Sequence, residues 1–592
     1  MGPLIFAAVG SLYVLGSAPG LTWLDAGELA AASHELGIAH PPGLPLFSLL
    51  NKCVAFIIPV GDIAFRGNLA SAILSALTLA FCTQIMPITS VVARACAVLL
   101  VLTVPLVVLH STTVEVYAGV ALLTVLAMAC LHRTQVSSDH RWTVLAALIF
   151  GLGIGGHHAE MRLFTLGLLI PVVVRSGSLR VWLSTATAGV VGVMVLLYLP
   201  LRSLTDPWRN WGDPSTPSAL WDHFWGARIR AAYGSEMGSL DTGASMELWG
   251  QFALDAPFLV VLGLAGIVLA LKRTGGWVLL AALVIDVSYS LLINPMGIRD
   301  MQNGFISVIT LGAGAAVCLE TLIHRWRQSG ITWALCGVSC LACWFAFGGF
   351  THREDRGLDR LVNRVTSNSP PEAMALVASD NLAAGLAYAQ VVQGARPDVA
   401  VVVRQHVQYA SSTGPTARRL PDTMAGWRPG TGLDSLNALT HGWPVEWEWA
   451  GGTDGRVRPK DLKPHFPMFI SHGPGRQAFE LDLEGWIARE HRGGREDRQS
   501  RRAAAHLAGD IGQFHLSGGD HTKALAGFKR AVQLRPEDAG LWSNLGTALM
   551  ADRQAQAAIE ATTHALTLDP EHRTARLNLG RYLIQTRAWR KA

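Results

Sequence analysis

The chain has 592 residues, of which 50% are hydrophobic and 15% charged, and its mean hydropathy is +0.31. This composition excludes an ordinary soluble protein of the same length. The net charge of +5 is modest and no lysine-rich run occurs, so a nucleic-acid-binding protein is excluded as well. Charged residues are sparse before about residue 349 and dense after it, which predicts a membrane domain followed by a soluble carboxyl-terminal part.

Eleven apolar segments are predicted to cross a bilayer whose hydrocarbon core is about 30 Å thick. The first has no basic residues before it, so we interpret it as a span and not as a cleaved signal peptide. The segments lie at about 2–18, 68–87, 95–110, 118–131, 142–157, 162–174, 181–201, 256–271, 276–294, 304–322 and 331–349.

Basic residues mark alternate connections between these segments. By the positive-inside rule those connections face the cytoplasm. The amino terminus is then cytoplasmic and the carboxyl-terminal part extracytoplasmic, in an integral membrane protein of the inner (plasma) membrane if the source is bacterial. The basic residues are Arg94, Arg133, Arg141, Arg175, Arg180, Lys272, Arg273, Arg325 and Arg327.

The first outer connection, residues 19–51, holds the most unusual residues. Asp25 and Glu28 are three residues apart and therefore share one side of a helix. The sequence His40-Pro41-Pro42-Gly43 cannot continue that helix, because proline lacks the amide hydrogen and disfavours helix at the preceding residue. We predict an acidic helix that ends in a rigid turn carrying a histidine.

The same connection resembles the amino-terminal signature of the DUF2723 family. That family is similar to the polytopic GT-C glycosyltransferases and includes a eukaryotic protein O-mannosyltransferase. The resemblance covers residues 1 to about 410. It is carried by Pro19-Gly20-Leu21-Thr22-Trp23, Asp25-Ala26-Gly27-Glu28, Ala39-His40-Pro41-Pro42-Gly43 and Pro45-Leu46-Phe47.

The resemblance implies that Asp25 is the catalytic general base, and Glu28 would then support it. His40 would position the donor or the acceptor. The alternative for the acids is helix capping or ion pairing, and for the histidine a purely architectural turn. An extracytoplasmic enzyme has no nucleotide sugars, so its donor would be a polyprenyl-phosphate sugar.

Two further outer connections carry candidate substrate-binding residues. Glu115, in Glu115-Val116-Tyr117-Ala118, resembles a pattern of the same family. His157 and His158 follow a glycine-rich run and either bind sugar or phosphate or pack at the interface. A metal site is not favoured, because adjacent histidines lack the i, i+4 spacing of a helical zinc pair.

Arginines suit a donor phosphate, since a guanidinium binds it through two parallel hydrogen bonds. Arg162 and Arg299 lie in predicted outer connections, where the positive-inside rule disfavours basic residues. This indicates a functional role for them. Arg202 lies just outside a span, where its alternative is reaching to the interface. Arg299 and Asp300 either bind substrate or form a structural ion pair.

The last part of the chain changes character. Residues 351–495 are predicted to form an extracytoplasmic α/β and loop-rich region, with a helix near Leu386 and a strand near Val401. Residues 496–592 repeat with a period of 34, as Gly512, Gly546 and Gly580 show. This period is typical of tetratricopeptide repeats, whose concave surface binds a peptide or protein partner.

The predicted fold class is therefore mainly α: a polytopic GT-C-like domain at residues 1–350, a small α/β segment and a helical-repeat domain. The predicted function is inverting transfer of a sugar, mannose on the family precedent, from a polyprenyl phosphate to a hydroxyl of an extracytoplasmic acceptor, in first place protein Ser or Thr. No cofactor or metal is predicted, because phosphate is already a stable leaving group. The alternatives are a transporter or flippase for a lipid-linked substrate and a non-catalytic scaffold.

Overall fold

A computed structural model describes most of the chain as two compact units, Met1–Glu354 and Asp355–Ala592. The described residues are 2–41, 43–156, 158–227, 249–250, 252–254, 256–294, 303–326, 337, 352–353, 356–404, 444–448, 463–465, 468–470 and 498–586.

The first unit consists of helices. Two of the spans contain irregular turns, a π-helical turn at Thr165–Leu169 and a 3₁₀ turn at Met194–Leu197. The helices are α1 Gly2–Gly16, α2 Ala26–Glu35, α3 Pro45–Ile57, α4 Ile63–Cys82, α5 Val91–Leu102, α6 Pro105–Thr112, α7 Tyr117–Ser137, α8 Arg141–Ile154, α9 His158–Phe164, α10 Ile170–Ser176, α11 Leu179–Val193, α12 Tyr198–Ser203, α13 Pro217–Phe224, α14 Pro257–Ala270, α15 Trp277–Leu292 and α16 Phe305–Trp326.

The predicted class of a mainly helical, polytopic membrane protein is confirmed. Four helices among the described residues are long and apolar enough to cross a bilayer, or five when α5 and α6, bent by 79°, are taken as one span. Several other predicted segments coincide with shorter apolar helices such as α1, α8, α14 and α15. The count of eleven crossings stays a prediction, and the segment 331–349 lies outside the described residues apart from Gly337.

Burial separates a central helix from a peripheral one. The apolar window of α16 is 83% buried inside the protein, whereas that of the span formed by α11 and α12 is 11% buried. Small residues allow the closest helix contacts, since lipid-embedded helices associate through van der Waals packing. A methyl group on Gly151 of α8 would lie 2.3 Å from the carbonyl oxygen of Gly189 in α11, so only glycine fits there.

The second unit begins with a small α/β layer. Strands β1 Met374–Val377, β2 Ala400–Val403 and β3 Val445–Trp447 run parallel, and β4 Lys463–His465 and β5 Met468–Ile470 add antiparallel pairs in the order β2-β1-β3-β5-β4. Helices α17 Gly357–Asn368 and α18 Asp380–Val391 accompany the sheet. The predicted helix and the strand near Val401 are present, while the sequence analysis missed the other four strands.

Five further helices of this unit lie within the described residues 498–586, and each packs against the next: α19 Arg498–Ser517, α20 His521–Leu534, α21 Ala539–Ala551, α22 Ala555–Leu568 and α23 Arg573–Gln585. Two of the periodic glycines lie at close contacts between successive helices. A methyl group at Gly512 would meet the ring of Phe528 at 3.0 Å, and one at Gly546 would meet Thr562 Oγ1 at 2.2 Å. The tetratricopeptide assignment stays a prediction.

Candidate active site

The predicted acidic helix is α2, and both acids lie at its amino-terminal end. Asp25 immediately precedes α2, and Glu28 lies in its first turn, where the helix dipole favours a negative charge. The side chain of Asp25 makes no capping hydrogen bond to α2, so the capping interpretation does not account for it. Leu36 ends the helix in the left-handed conformation, and the chain then turns toward His40.

Glu28 is held by hydrogen bonds from two directions. Its Oε1 accepts from the His40 amide at 2.9 Å, and its Oε2 lies 3.2 Å from His40 Nδ1. From the other side, Arg209 donates to Oε1 through Nη2 at 2.7 Å and Nε at 3.1 Å. The Glu28 side chain is only 9% exposed, so this carboxylate is fixed in one position.

His40 connects the two acids. Its Nε2 lies 3.9 Å from Asp25 Oδ2, while Nδ1 faces Glu28. The Asp25 side chain is 37% exposed, four times as much as that of Glu28. Asp25 is therefore the carboxylate that a bound substrate can reach, with a histidine beside it and a buried acid behind.

The charges of this cluster shift its protonation equilibria. Burial by itself would raise the pKa of Glu28, but the charges of Arg209 and His40 outweigh it and hold that pKa well below the usual range. Burial would lower the pKa of His40, but Asp25 and Glu28 outweigh it and raise that pKa to about 9. At neutral pH His40 is therefore a cation between two carboxylates.

Arg209 was missed by the sequence analysis, although it completes this cluster. The segment that carries it runs alongside the end of α2: Glu35 Oε1 accepts from the Arg209 amide at 2.5 Å, and Ile38 and Asn210 form a parallel bridge. The Ile38 amide in turn donates to the Arg209 carbonyl at 2.6 Å. An isolated arginine in a loop has no diagnostic sequence pattern. The one signal was the aromatic and polar segment around it, Trp208-Arg209-Asn210-Trp211-Gly212-Asp213.

A second histidine, His223, packs against the turn that follows His40. Gly43 has a φ of +85°, which favours glycine, and a methyl group there would lie 2.8 Å from His223 Nε2. On the other side, a methyl group on Gly212, at a φ of +73°, would lie 2.9 Å from His223 Nδ1. The ring of His223 thus packs between two glycine turns and joins α13 to the candidate site.

Glu115 also faces this cluster. It lies in the connection between α6 and α7, is 5% exposed, and has its amide bonded to Ser71 Oγ at 3.3 Å. Burial, increased by the nearby charge of Asp25, raises its pKa to about 8. The neighbouring Val114 and Val116 pack with Ala26 and Leu29 of α2, which explains why this connection lies beside the acidic helix.

The predicted arginines are held by other groups. Arg202 donates through Nε to the Leu36 carbonyl at 2.6 Å and through Nη2 to the Glu35 carbonyl at 3.0 Å, so it binds the carboxyl end of α2. The guanidinium of Arg162 lies over the rings of Trp225 at 4.2 Å and Phe224 at 5.5 Å. Phosphate binding by either arginine stays a prediction.

Several predicted residues cannot be placed in the site. His157, Arg299 and Asp300 lie outside the described residues, and of His158 only the backbone, at the start of α9, is described. Asp286, a buried acid in α15, was not predicted. Its Oδ2 accepts from the amide of Ser307 at 2.7 Å and from its hydroxyl at 2.6 Å, so it caps the first turn of α16.

Asp25, Glu28 and His40 are close enough to hold a metal ion, since one ligand atom from each lies within 4.8 Å of the others. In the structure, the negative charges of these carboxylates are balanced by protein cations. Glu28 already pairs with Arg209, and His40 is protonated at neutral pH, whereas a metal needs a neutral imidazole. Glu28 and His40 thus have partners without an ion, and a metal-free site stays a prediction.

The pH dependence of the site follows from His40. Its pKa is about 9 in the folded protein against about 6.5 in an unfolded chain, so its proton stabilises the fold fully below about pH 6.5. This contribution is lost as the pH rises through about 9. We expect the thermal unfolding temperature, measured across this range, to fall on the alkaline side in the native protein and to fall less in His40→Gln.

The other charged groups facing His40 are Asp25, Glu28, Arg209 and Glu115, and of these Glu115 titrates in the same range. Repeating the measurement in a Glu115→Gln background therefore isolates the histidine. An alkaline decrease of equal size with and without His40 would refute this assignment.

Comparison with known families gives a match in the amino-terminal part of the chain. A profile of the family described as Protein O-mannosyl-transferase TMEM260 N-terminal domain matches residues 25–180, which include Asp25, Glu28, His40 and Glu115. The chain is 25% identical over 462 residues to Protein O-mannosyl-transferase TMEM260 of Mus musculus, a match that covers 70% of this chain and 64% of the mouse protein. A match to Protein O-mannosyl-transferase tmem260 of Dictyostelium discoideum has 41% identity over 56 residues, 10% of this chain and 7% of that protein.

The fold is similar to that of ArnT from Cupriavidus metallidurans, solved both bound to undecaprenyl phosphate and in the apo state. The TM-scores are 0.52 and 0.51 at 12% identity, and the matches cover 80% of this chain and 99% and 98% of ArnT. The resemblance to polytopic GT-C proteins that the sequence indicated is thus confirmed at the level of the fold.

Proposed function

We propose that this integral membrane protein is a glycosyltransferase that moves a sugar, mannose in first place, from a polyprenyl phosphate to a hydroxyl of an extracytoplasmic acceptor. The observation that carries the proposal is the cluster of Asp25, His40, Glu28 and Arg209 inside a GT-C-like fold. The mouse and Dictyostelium relatives are O-mannosyl-transferases by name, and ArnT was solved with undecaprenyl phosphate. These likenesses support the proposal together with the geometry.

In the proposed mechanism Asp25 takes the proton of the acceptor hydroxyl as that oxygen attacks the anomeric carbon. Its partial exposure leaves room for the acceptor, and His40 holds the carboxylate in place from one side. The bond from the anomeric carbon to the phosphate oxygen breaks on the opposite face, so the configuration is inverted. The lipid phosphate leaves with the electron pair.

Glu28 has a supporting function in this mechanism. It accepts hydrogen bonds from His40 and Arg209 and is nearly inaccessible, so it is poorly placed to accept a substrate proton. Its negative charge keeps His40 protonated. Glu115, buried beside Asp25, is proposed to bind the acceptor or the sugar in its neutral form, and Arg162, Arg202 and Arg299 stay proposed ligands of the phosphate.

We also propose that this site faces the outside of the cytoplasmic membrane, as the distribution of basic residues predicts, and that the residues after the membrane domain are extracytoplasmic. The predicted repeats at 496–592 would bind a protein partner or the peptide acceptor. A polypeptide acceptor fits both the extracytoplasmic site and the peptide-binding repeats, since its Ser or Thr hydroxyl would be the attacking group.

A transporter would need charged groups along a pathway through the membrane. The buried acid Asp286 lies within an apolar helix, as such a pathway requires, but its hydrogen bonds to Ser307 explain it as a helix cap. Among the described residues, this contact gives Asp286 a structural function.

The direct test is transfer of labelled mannose from a polyprenyl-phosphate mannose to a Ser- and Thr-containing peptide by the full-length protein in lipid nanodiscs. We expect transfer with inverted anomeric configuration, and the same rate after treatment with EDTA. Loss of activity in EDTA and its recovery with a divalent ion would overturn the metal-free mechanism. Failure with every polyprenyl-phosphate sugar would overturn the proposed function.

A further inference from the structure

Three basic side chains meet where α2, α3 and α4 approach each other. Lys52 of α3 donates through Nζ to the His34 carbonyl at the end of α2. Arg66 of α4 donates through Nη1 to the Ala55 carbonyl at 3.2 Å and through Nη2 to the Gly61 carbonyl at 3.1 Å. Helices α2, α3 and α4 contact one another and so bring the three basic groups into one region. Burial and the charges of Lys52 and Arg66 also lower the pKa of His34.

The acidic side chains nearest in sequence are engaged elsewhere. Both carboxylate oxygens of Glu35 accept backbone amides, those of Trp208 and Arg209. Asp62 caps α4 by accepting from the Phe65 amide at 2.7 Å. In the part of the chain that the structure describes, Arg66 Nε is buried and has no hydrogen-bond partner. The cluster therefore carries positive charge and an unused donor.

The cluster lies at the depth of lipid headgroups. Helix α4 has 20 residues and is therefore about 30 Å long, which matches the hydrocarbon core of a bilayer. Arg66 is the fourth residue of this helix, about 5 Å from its start, and so lies close to the membrane interface. A basic side chain at this depth is stabilised by an anion.

Helix α3, which carries Lys52, has the properties of a helix lying on the membrane. Its 13 residues are too few to cross the hydrocarbon core. One face packs into the protein through Phe47, Ser48 and Asn51. The opposite face is apolar and exposed, with Phe56 at 84%, Ile57 at 72% and Val60, just beyond the helix, at 58%.

We propose that His34, Lys52 and Arg66 bind the phosphate of an anionic phospholipid headgroup, while the exposed apolar face of α3 contacts its acyl chains. The charge, the unused Nε of Arg66 and the apolar face all fit this one molecule. The site is separate from the catalytic cluster, because His34 is six residues and about 9 Å along α2 from Glu28. It does not depend on the proposed transferase activity.

Native mass spectrometry of the full chain, released from nanodiscs of mixed phosphatidylcholine and phosphatidylglycerol, tests this site. We expect the native protein to retain phosphatidylglycerol in preference to phosphatidylcholine. In the double variant Lys52→Gln/Arg66→Gln this preference is expected to fall by about tenfold or more, since two basic groups near an anionic headgroup are lost. Lys52→Gln alone leaves the carbonyl contacts of Arg66 intact and should give part of the loss.

The matched control is Arg141→Gln, whose side chain is exposed and pairs with Asp139. It should leave the lipid preference unchanged. Equal retention of both lipids by the native protein, or an undiminished preference in the double variant, would overturn the proposal. So would retention of a polyprenyl monophosphate without retention of phosphatidylglycerol, which would assign the cluster to the donor lipid.

Discussion

Asp25→Asn is expected to lower the rate of sugar transfer by about 10³-fold, within the range that loss of a general base produces. Asparagine keeps the size of the side chain and its place beside His40, but it cannot accept the proton of an attacking hydroxyl. After the change His40 still faces the Glu28 carboxylate, so no buried charge is left without a partner. The measurement is the initial rate of transfer from labelled polyprenyl-phosphate mannose at saturating donor.

The control for this variant is Asp139→Asn, which alters a partly exposed aspartate that pairs with Arg141 far along the chain from the site. It should transfer sugar at the native rate. If the protein were a lipid transporter or a scaffold, its function should survive Asp25→Asn. An Asp25→Asn variant that keeps more than a tenth of the native transfer rate would show that Asp25 is not the base.

Arg209→Met is expected to reduce transfer by about a hundredfold and to lower the unfolding temperature. The variant removes the two hydrogen bonds that Arg209 donates to Glu28 Oε1 and leaves this carboxylate, whose side chain is 9% exposed, with His40 as its partner. Removing one partner of a fully buried ion pair costs about 3–5 kcal/mol. The cost is smaller here, because the protonated His40 still offsets part of the Glu28 charge. Glu28 would then no longer hold His40 beside Asp25.

A double-mutant cycle distinguishes this positioning effect from a general loss of stability. Glu28→Gln combined with Arg209→Met should be less damaging than the sum of the single changes, because the double variant has no unpaired charge. Arg209→Lys keeps the charge but not the forked geometry and should be intermediate. Arg141→Met, which removes an exposed pair, should have little effect. Additive effects of the two single variants would contradict the arrangement described.

Local patterns predicted the elements that depend on neighbouring residues. The spacing of Asp25 and Glu28 predicted an acidic helix before a turn that carries His40. The structure contains that helix as α2, but it begins just after Asp25 and ends at Glu35, before the prolines. The apolar runs predicted most of the membrane helices, because a lipid-embedded segment must satisfy its backbone internally and expose apolar side chains. The family resemblance supplied the proposed role of Asp25 as general base, which helical spacing does not indicate.

Long-range contacts account for what was missed. Arg209 lies 181 residues after Glu28, and nothing in its own surroundings indicates the partner. Arg202 was predicted as a phosphate ligand from its position outside a span, yet its donors face carbonyl groups at the end of α2, which only the folded chain brings near. Short strands such as β3 and β5 were missed because their pairing partners are far apart in sequence.

The sequence by itself determined that this is a membrane protein of many apolar helices with an acidic helix and a histidine turn after the first of them. The reason is that hydrophobicity, proline and helical spacing act over a few residues. The tertiary structure alone decided which cation meets Glu28, that His40 lies between two carboxylates, and which acid stays accessible. Those outcomes depend on burial and on distances between segments that the packing of the helices sets.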